Sequence, residues 1–233
     1  MFNGNKKAIT FSYDDGVTQD IRLIELFDKY GIKCTFNLNS ELLGANEYLI
    51  IDGKKINHNK VKTSDVINIY KNHEVAAHTL THPNLTILPE KEIIRQVEKD
   101  RLNLSELVGY EVVGMAYPCG GVNNDERVAQ IIKNNTGVKY SRTITASYNF
   151  DKQKNLYRIN PTAYLYGDGI NKCKKIAKMF FDNDTEQPQI LYIWGHSYEF
   201  DINDDWKQME EFLKYISFRK DVFYGTNSKV FLD

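Results

Sequence analysis

No apolar run in this chain of 233 residues approaches the roughly 18 residues that a membrane-spanning helix needs. The start, Met1-Phe2-Asn3-Gly4-Asn5-Lys6-Lys7, runs straight into Ala8-Ile9-Thr10-Phe11. It has neither the long apolar segment nor the small-residue cleavage site of a secretory leader, so a cytoplasmic location is the expectation. Cysteine is scarce: Cys34, Cys119 and Cys173 lie far apart, cannot all pair, and have no metal-knuckle spacing. Reduced thiols fit that pattern. An excess of one charge is also missing. Thirty basic residues against 31 acidic ones leave a net charge of −1, which removes the electrostatic case for nucleic acid or an anionic membrane. Linkers, repeats and low-complexity tracts are absent too, so residues 1–233 read as a single domain. What is present is a globular composition, 42% hydrophobic and 12% aromatic, long enough to bury a core without disulfides.

Residues 7–13 alternate Ala8, Thr10 and Ser12 with Ile9, Phe11 and Tyr13, which predicts a strand stopped by Asp14-Asp15-Gly16. Leu23, Leu26, Phe27 and Tyr30 share one helical face, and Gly31 supplies the C-terminal cap. A second strand follows over 32–38, completing a parallel βαβ unit. An irregular excursion over 39–60 contains a hairpin around Asp52-Gly53. Beyond it the pattern predicts helices over 64–71 (capped by Asn72), 89–108, 125–134, 172–181 and 205–216. Strands are predicted over 74–77, 112–117, 139–143, 156–159 and 189–194. This alternation points to an α/β fold, a single irregular (β/α) barrel with about seven parallel strands. An open doubly wound sheet is the runner-up.

The residues able to do chemistry fall just after strands. In His78-Thr79-Leu80-Thr81-His82, two histidines four apart meet on one side of a helical turn and can reach one metal ion. Read alone, the pair fits two surface residues equally well. Asp14-Asp15-Gly16 is an ordinary solvated turn when isolated. Beside a cation, however, neighbouring carboxylates that project to different sides can divide the work, one as ligand and one as base. Asp15 with His78 and His82 makes three ligands and leaves positions open, the pattern of a catalytic site. The apolar run 190–194 delivers His196, either a loop histidine or a general acid near neutral pH. Ala116-Tyr117-Pro118-Cys119-Gly120-Gly121 turns tightly at a strand end and exposes amides that can stabilise an oxyanion. A thiol nucleophile at Cys119 has no dedicated base in the sequence.

Taken together these motifs resemble the polysaccharide deacetylases, the NodB homology domain of carbohydrate esterase family four. The family's Thr-Phe-Asp-Asp-Gly is similar to Ser12-Tyr13-Asp14-Asp15-Gly16, and its His-Ser/Thr-x-x-His to residues 78–82. Its Arg-x-Pro-Tyr-Gly is similar to Ala116-Tyr117-Pro118-Cys119-Gly120, and its last apolar strand to Leu191 through His196. The resemblance spans about residues 7–215. It implies Asp14 as catalytic base, and Asp15, His78 and His82 as ligands to zinc or a similar divalent ion (cobalt, nickel, manganese or iron). It implies His196 as general acid, the Cys119 amide as oxyanion donor, and an acetylated saccharide as substrate.

Two departures stand out. Ala116 replaces the family arginine that orients the base, and no Asp-x-x-Asp-Trp fourth motif is present. Arg158 is a candidate cation from another strand. Glu199 and Asp201 are candidates to orient His196 or bind hydroxyls. Tyr117, Trp194 and Trp206 are candidates to contact a sugar, with core packing the alternative for both tryptophans. Three readings therefore stand: a deacetylase of N-acetylated sugars, an amidase of a non-sugar amide, and an inactive carbohydrate-binding relative. Oligomeric state is open.

Overall fold

Strand β1 (Lys7–Asp14) is buried on both faces, as the central strand of a parallel sheet must be. Ile9, Phe11 and Tyr13 pack into the core shared with the helices, while Thr10, Ser12 and Asp14 bond to groups inside the curl of the sheet. The structure, a computed structural model, describes residues 2–233. After β1 come α1 (Asp20–Lys29), β2 (Cys34–Leu38), the hairpin strands β3 (Tyr48–Ile51) and β4 (Lys54–Asn57), α2 (Val66–Ile69) and β5 (Glu74–Ala77). Next are α3 (Glu90–Ile94), a π-helical turn (Arg95–Lys99), α4 (Asp100–Val108), β6 (Gly114–Ala116), α5 (Glu126–Asn135) and β7 (Tyr140–Arg142). The chain ends with β8 (Ala163–Tyr164), α6 (Leu165–Asp168), α7 (Ile170–Asp182), β9 (Gln189–Gly195), α8 (Glu199–Ile202), α9 (Trp206–Ile216), β10 (Val222–Tyr224) and α10 (Asn227–Phe231).

Seven strands form one curled parallel sheet in the order β7-β6-β5-β2-β1-β9-β8, the barrel type expected; short β10 adds an eighth against the start of β1. Residues 156–162 span the space between the two edge strands. Ser141 N donates to Leu156 O at 2.8 Å, and Thr162 N donates to Tyr192 O at 2.7 Å. The strand expected over 156–159 is reduced to one bridge between Arg142 and Ile159. Pro161, which has no amide hydrogen, ends the ladder there.

Other expectations are also corrected. The helix expected over 64–71 is a 3-10 turn (Thr63–Asp65) followed by α2, and Tyr70 rather than Asn72 caps it. The helix expected over 89–108 is interrupted by the π turn. β8 and β10 were not foreseen, being two and three residues long. No helix among the described residues is long and apolar enough to cross a membrane.

The floor of the curl is sealed by α10. Asn227 N donates to Thr35 Oγ1 at 2.8 Å, and Asn227 Nδ2 donates to Tyr192 Oη at 2.7 Å. Phe231 packs between Tyr140 and Tyr192. With the amino ends of the strands plugged, the carboxyl ends are left to form a cavity, where barrel chemistry is built.

Candidate active site

Asp14 ends β1, His78 follows β5, Arg142 ends β7 and His196 follows β9. All four converge on the carboxyl end of the sheet. A cavity of about 620 Å³ opens there, lined by Asp14, Asp15, His78, His82, Cys119 and His196 among others.

One atom each from Asp15, His78 and His82 lies within 4.8 Å of the others. Asp15 Oδ1 is 3.6 Å from His82 Nε2 and 3.9 Å from His78 Nε2. Ligands 2.0–2.1 Å from a tetrahedral zinc sit about 3.3 Å apart, close to both Asp15 distances. The donors suit a cation. His78 Nδ1 donates to Ala116 O at 2.9 Å, which turns the Nε2 lone pair into the cavity. Burial holds the His78 imidazole down at about 4 and lowers that of His82, so both rings are neutral at pH 7. Burial pushes Asp15 up, but the His58 hydrogen bond and Lys60 outweigh it, and the carboxyl stays well below its ordinary value.

His78 and His82 do not share the helical turn that their spacing predicted. They lie in a loop with Thr79 at φ 68° and His82 at φ 60°, a region that a β-branched threonine enters only under constraint. The constraints are visible. Asn39 Nδ2 donates to His78 O and Thr79 O at 2.5 and 2.8 Å. Asp100 accepts from His78 N at 3.0 Å and from Ser40 N at 2.7 Å. Leu80 N donates to Gln96 O at 3.1 Å, and Gln96 Nε2 donates to Thr81 Oγ1 at 3.0 Å. Gln96 lies in the π turn, where the altered helical winding aims it at the loop.

Asp14 is not in that trio. Its Oδ1 accepts from Asn37 Nδ2 at 2.7 Å, and its Oδ2 is ion-paired with Arg142. Both carboxylate and guanidinium are fully buried. Burial pushes Asp14 up, but Arg142 first and His78 next outweigh it and hold the carboxyl below its ordinary value. Arg142 is directly paired in register with Ala116 across β6 and β7. Arg142 therefore places a cation beside Asp14 from the strand next to Ala116. Arg158 does not take that role. Its Nε donates to Asn124 at 2.9 Å and its Nη1 lies 3.7 Å from Glu126, outside the cavity.

His196 stands across the cavity with Nδ1 2.9 Å from Glu199 Oε1. Glu199 also accepts from His196 N at 3.0 Å and from Tyr164 Oη. Burial alone would lower the imidazole, but Glu199 raises it to about 9, so the ring carries a proton at neutral pH. Asp201 accepts instead from Gln19 and Trp206, away from the cavity.

Cys119 adopts φ 69°. Asn123 Nδ2 pins this turn by donating to the carbonyls of Tyr117, Pro118 and Cys119 at 3.2, 3.1 and 2.8 Å. The Cys119 amide consequently faces the metal-binding side, its contact being His82 Nε2 at 3.5 Å. The thiol donates to His82 O at 3.3 Å, and burial, then Asp15, raise it away from the reactive thiolate.

The excursion after β2, expected to be irregular around a hairpin at Asp52-Gly53, carries that hairpin as β3 and β4 and forms a wall of the site. It contributes Glu47, Leu49, His58 and Lys60 to the cavity. Thr18 N donates to Asn59 O at 2.8 Å, Gln19 Nε2 to Asn57 O at 2.7 Å, and Lys54 Nζ to Ile202 O at 2.6 Å, fastening the excursion to the β1–α1 turn and to α8. His58 Nε2 lies 3.2 Å from Asp15 Oδ2, and Lys60 Nζ lies 3.8 Å from Asp15 Oδ1.

Three expected sugar contacts change character. Trp194 is covered by the Tyr164 ring (4.3 Å between centroids) and by the Arg142 guanidinium (4.4 Å), so it is a wall rather than an open stacking face. The Tyr117 hydroxyl is spent on Tyr157 O at 2.9 Å. Trp206 is core, with its indole N–H donated to Asp201.

With this geometry in place, the similarities to known proteins are informative. A family model described as polysaccharide deacetylase matches residues 3–140. No curated protein sequence matches the chain. Among solved structures it is similar to the Xyl-CE4 domain of a multidomain xylanase from the hindgut metagenome of Trinervitermes trinervoides. The identity is 18%, 98% of this chain and 91% of that chain are covered, and the TM-score is 0.59. It is similar to a family 4 carbohydrate esterase from Streptomyces lividans in complex with acetate (11% identity, 95% and 93% covered, TM-score 0.56). A CE4 family pseudoenzyme from Bacillus anthracis is also similar (17% identity, 97% and 66% covered, TM-score 0.59). At these identities the structural likenesses carry the fold, and the family match covers more than half of the sequence. The chain belongs to the polysaccharide deacetylase family.

Proposed function

We propose that this protein is a metal-dependent deacetylase that hydrolyses the N-acetyl group of a saccharide. One observation carries the reading. The Asp15-His78-His82 donor set shares a cavity with a spare carboxylate, Asp14, and a protonated histidine, His196. A divalent ion bound there would supply Lewis acidity to water and to the acyl oxygen. Asp14, kept ionised by Arg142, takes the proton of the attacking water. The Cys119 amide donates to the acyl oxygen as charge develops on it. His196, oriented by Glu199, delivers its proton to the departing nitrogen, so a neutral amine leaves. Tyr164 and Trp194 hold that acid–carboxylate pair in place from behind.

The cavity volume suits a small saccharide or the end of a longer one. An inactive binding protein is the second reading, supported by the pseudoenzyme neighbour and by Ala116. The Arg142–Asp14 pair weighs against it, because it restores the cation beside the base. The test is Asp14→Asn with zinc content measured alongside acetate release from N-acetylglucosamine oligomers. The expected result is full zinc and turnover lowered by about 10²–10⁴-fold. Turnover equal to wild type would remove Asp14 as base. Zinc-loaded wild type that binds the oligomers without releasing acetate would establish the second reading.

A further inference from the structure

Lys60 is held on both sides by backbone. Its N donates to Ala45 O at 2.9 Å, the next amide, Val61 N, donates to Gly16 O at 2.9 Å, and the residue bridges to Val17. Its side chain is only 3% exposed, yet it lines the catalytic cavity. Among the described residues, the only carboxylate oxygen within 4.0 Å of the ammonium is Asp15 Oδ1, at 3.8 Å. That oxygen is the one facing His78 and His82. The other oxygen of Asp15 meets His58, and Asp14 is taken by Arg142. Glu47 sits at the rim, 3.5 Å from His58 Nδ1 and half exposed.

A carboxylate oxygen that shares its charge with a divalent ion neutralises a buried ammonium only in part. Burying such a charge without a full partner is costly, so an anion that arrives with the ligand is favoured beside it. Two anions of the proposed hydrolysis qualify. When water adds to the acyl carbon, its proton goes to Asp14 and the carbonyl electron pair becomes a charge on the acyl oxygen. When the carbon–nitrogen bond then breaks, the nitrogen takes the His196 proton and a carboxylic acid remains, which becomes a carboxylate by giving its hydroxyl proton to the now neutral His196. We propose that Lys60 is a further catalytic residue, an ammonium that holds the developing acyl-oxygen charge and then the released small carboxylate. This rests on the hydrolase reading above, but the binding of a carboxylate can be measured without turnover.

The experiment compares wild type with Lys60→Met and Lys60→Arg, all zinc-loaded. Acetate affinity is read by titration calorimetry and zinc affinity by competition with a chromophoric chelator. The expected result is acetate binding at least about tenfold weaker in Lys60→Met, with zinc held as tightly as in wild type or more tightly, because a neighbouring positive charge is gone. Lys60→Arg should keep acetate binding, and serves as the charged comparison if the methionine variant folds poorly. With N-acetylglucosamine oligomers, Lys60→Met should lower kcat by about 10²-fold with little change in KM. Unchanged acetate affinity in Lys60→Met would overturn the proposal. Parallel loss of zinc and acetate would also overturn it, because Lys60 would then only position Asp15. Lys60-dependent acetate binding by a wild type that hydrolyses no acetylated sugar would keep the anion site and remove its catalytic role.

Discussion

Replacing Arg142 with methionine should move the acid limb of the pH–rate profile to higher pH. The structure contains its own reference for the size of the effect. Asp20 and Asp100 are buried carboxyls with hydrogen bonds but no ion-paired arginine, and burial raises each to about 7. Asp14 is equally buried, but Arg142 holds it below its ordinary value. Without the guanidinium, burial should carry Asp14 upward in the same direction as the other two, opposed only by the weaker pull of His78 and His196. At pH 6 the variant's kcat/KM should therefore still be climbing toward its plateau, where wild type is already flat. Stability follows the same linkage. In wild type the lowered carboxyl contributes stability above the unfolded value of about 3.9, lost as pH falls through the folded value. In the variant the raised carboxyl costs stability, increasingly as pH rises from about 4 toward its folded value. The gap between the two proteins should therefore widen over that window, reaching about 3–5 kcal/mol for a broken buried pair. Acetate release at fixed zinc from pH 4 to 9, with urea melts over the same range, measures both. An unshifted acid limb would refute the assignment of Arg142 to Asp14. A double variant, Ala116→Arg with Arg142→Ala, puts the cation back on the paired strand and should recover part of the shift.

Glu199→Gln removes the charge that keeps the His196 imidazole raised to about 9, leaving burial to dominate. The alkaline limb of kcat/KM should fall below about 6.5, lowering activity at pH 8 by about 30-fold or more; a limb that stays put would separate His196 from proton delivery. In zinc-loaded wild type the limb should lie somewhat below 9, since the metal takes over the Asp15 charge that also raises His196. Asp100→Leu deletes the acceptor of His78 N and Ser40 N. Zinc affinity should weaken about 10–100-fold in a chelator competition, with the circular dichroism of the fold retained.

Much of this site was legible in the sequence because strand alternation and strand ends are local signals. The period of two in 7–13 placed Asp14 inside the sheet and stopped the strand at the site. What stayed hidden depended on contacts distant in sequence. Tyr140 and Arg142 lie two apart on β7, but only the register with β6 shows that Arg142 occupies the position beside Ala116. Arg158 was the candidate cation from another strand, yet its segment pairs through Ile159 and leaves the arginine facing Asn124. His58 and Lys60 sat in a stretch without periodicity. Their position comes from the stapling of that stretch by Gln19, Lys54 and the Gly16 carbonyl. The helical turn expected for His78 and His82 failed because Asn39, Gln96 and Asp100 impose a strained loop that spacing alone cannot reveal.

Metal dependence is tested most directly by stripping the protein with chelator and adding zinc back in steps while acetate release from an N-acetylglucosamine oligomer is followed. The rate should be absent at the start, rise in proportion to added zinc and stop rising at one equivalent. A protein that releases acetate at its full rate when stripped, or none at any loading, would contradict hydrolysis at the Asp15-His78-His82 site.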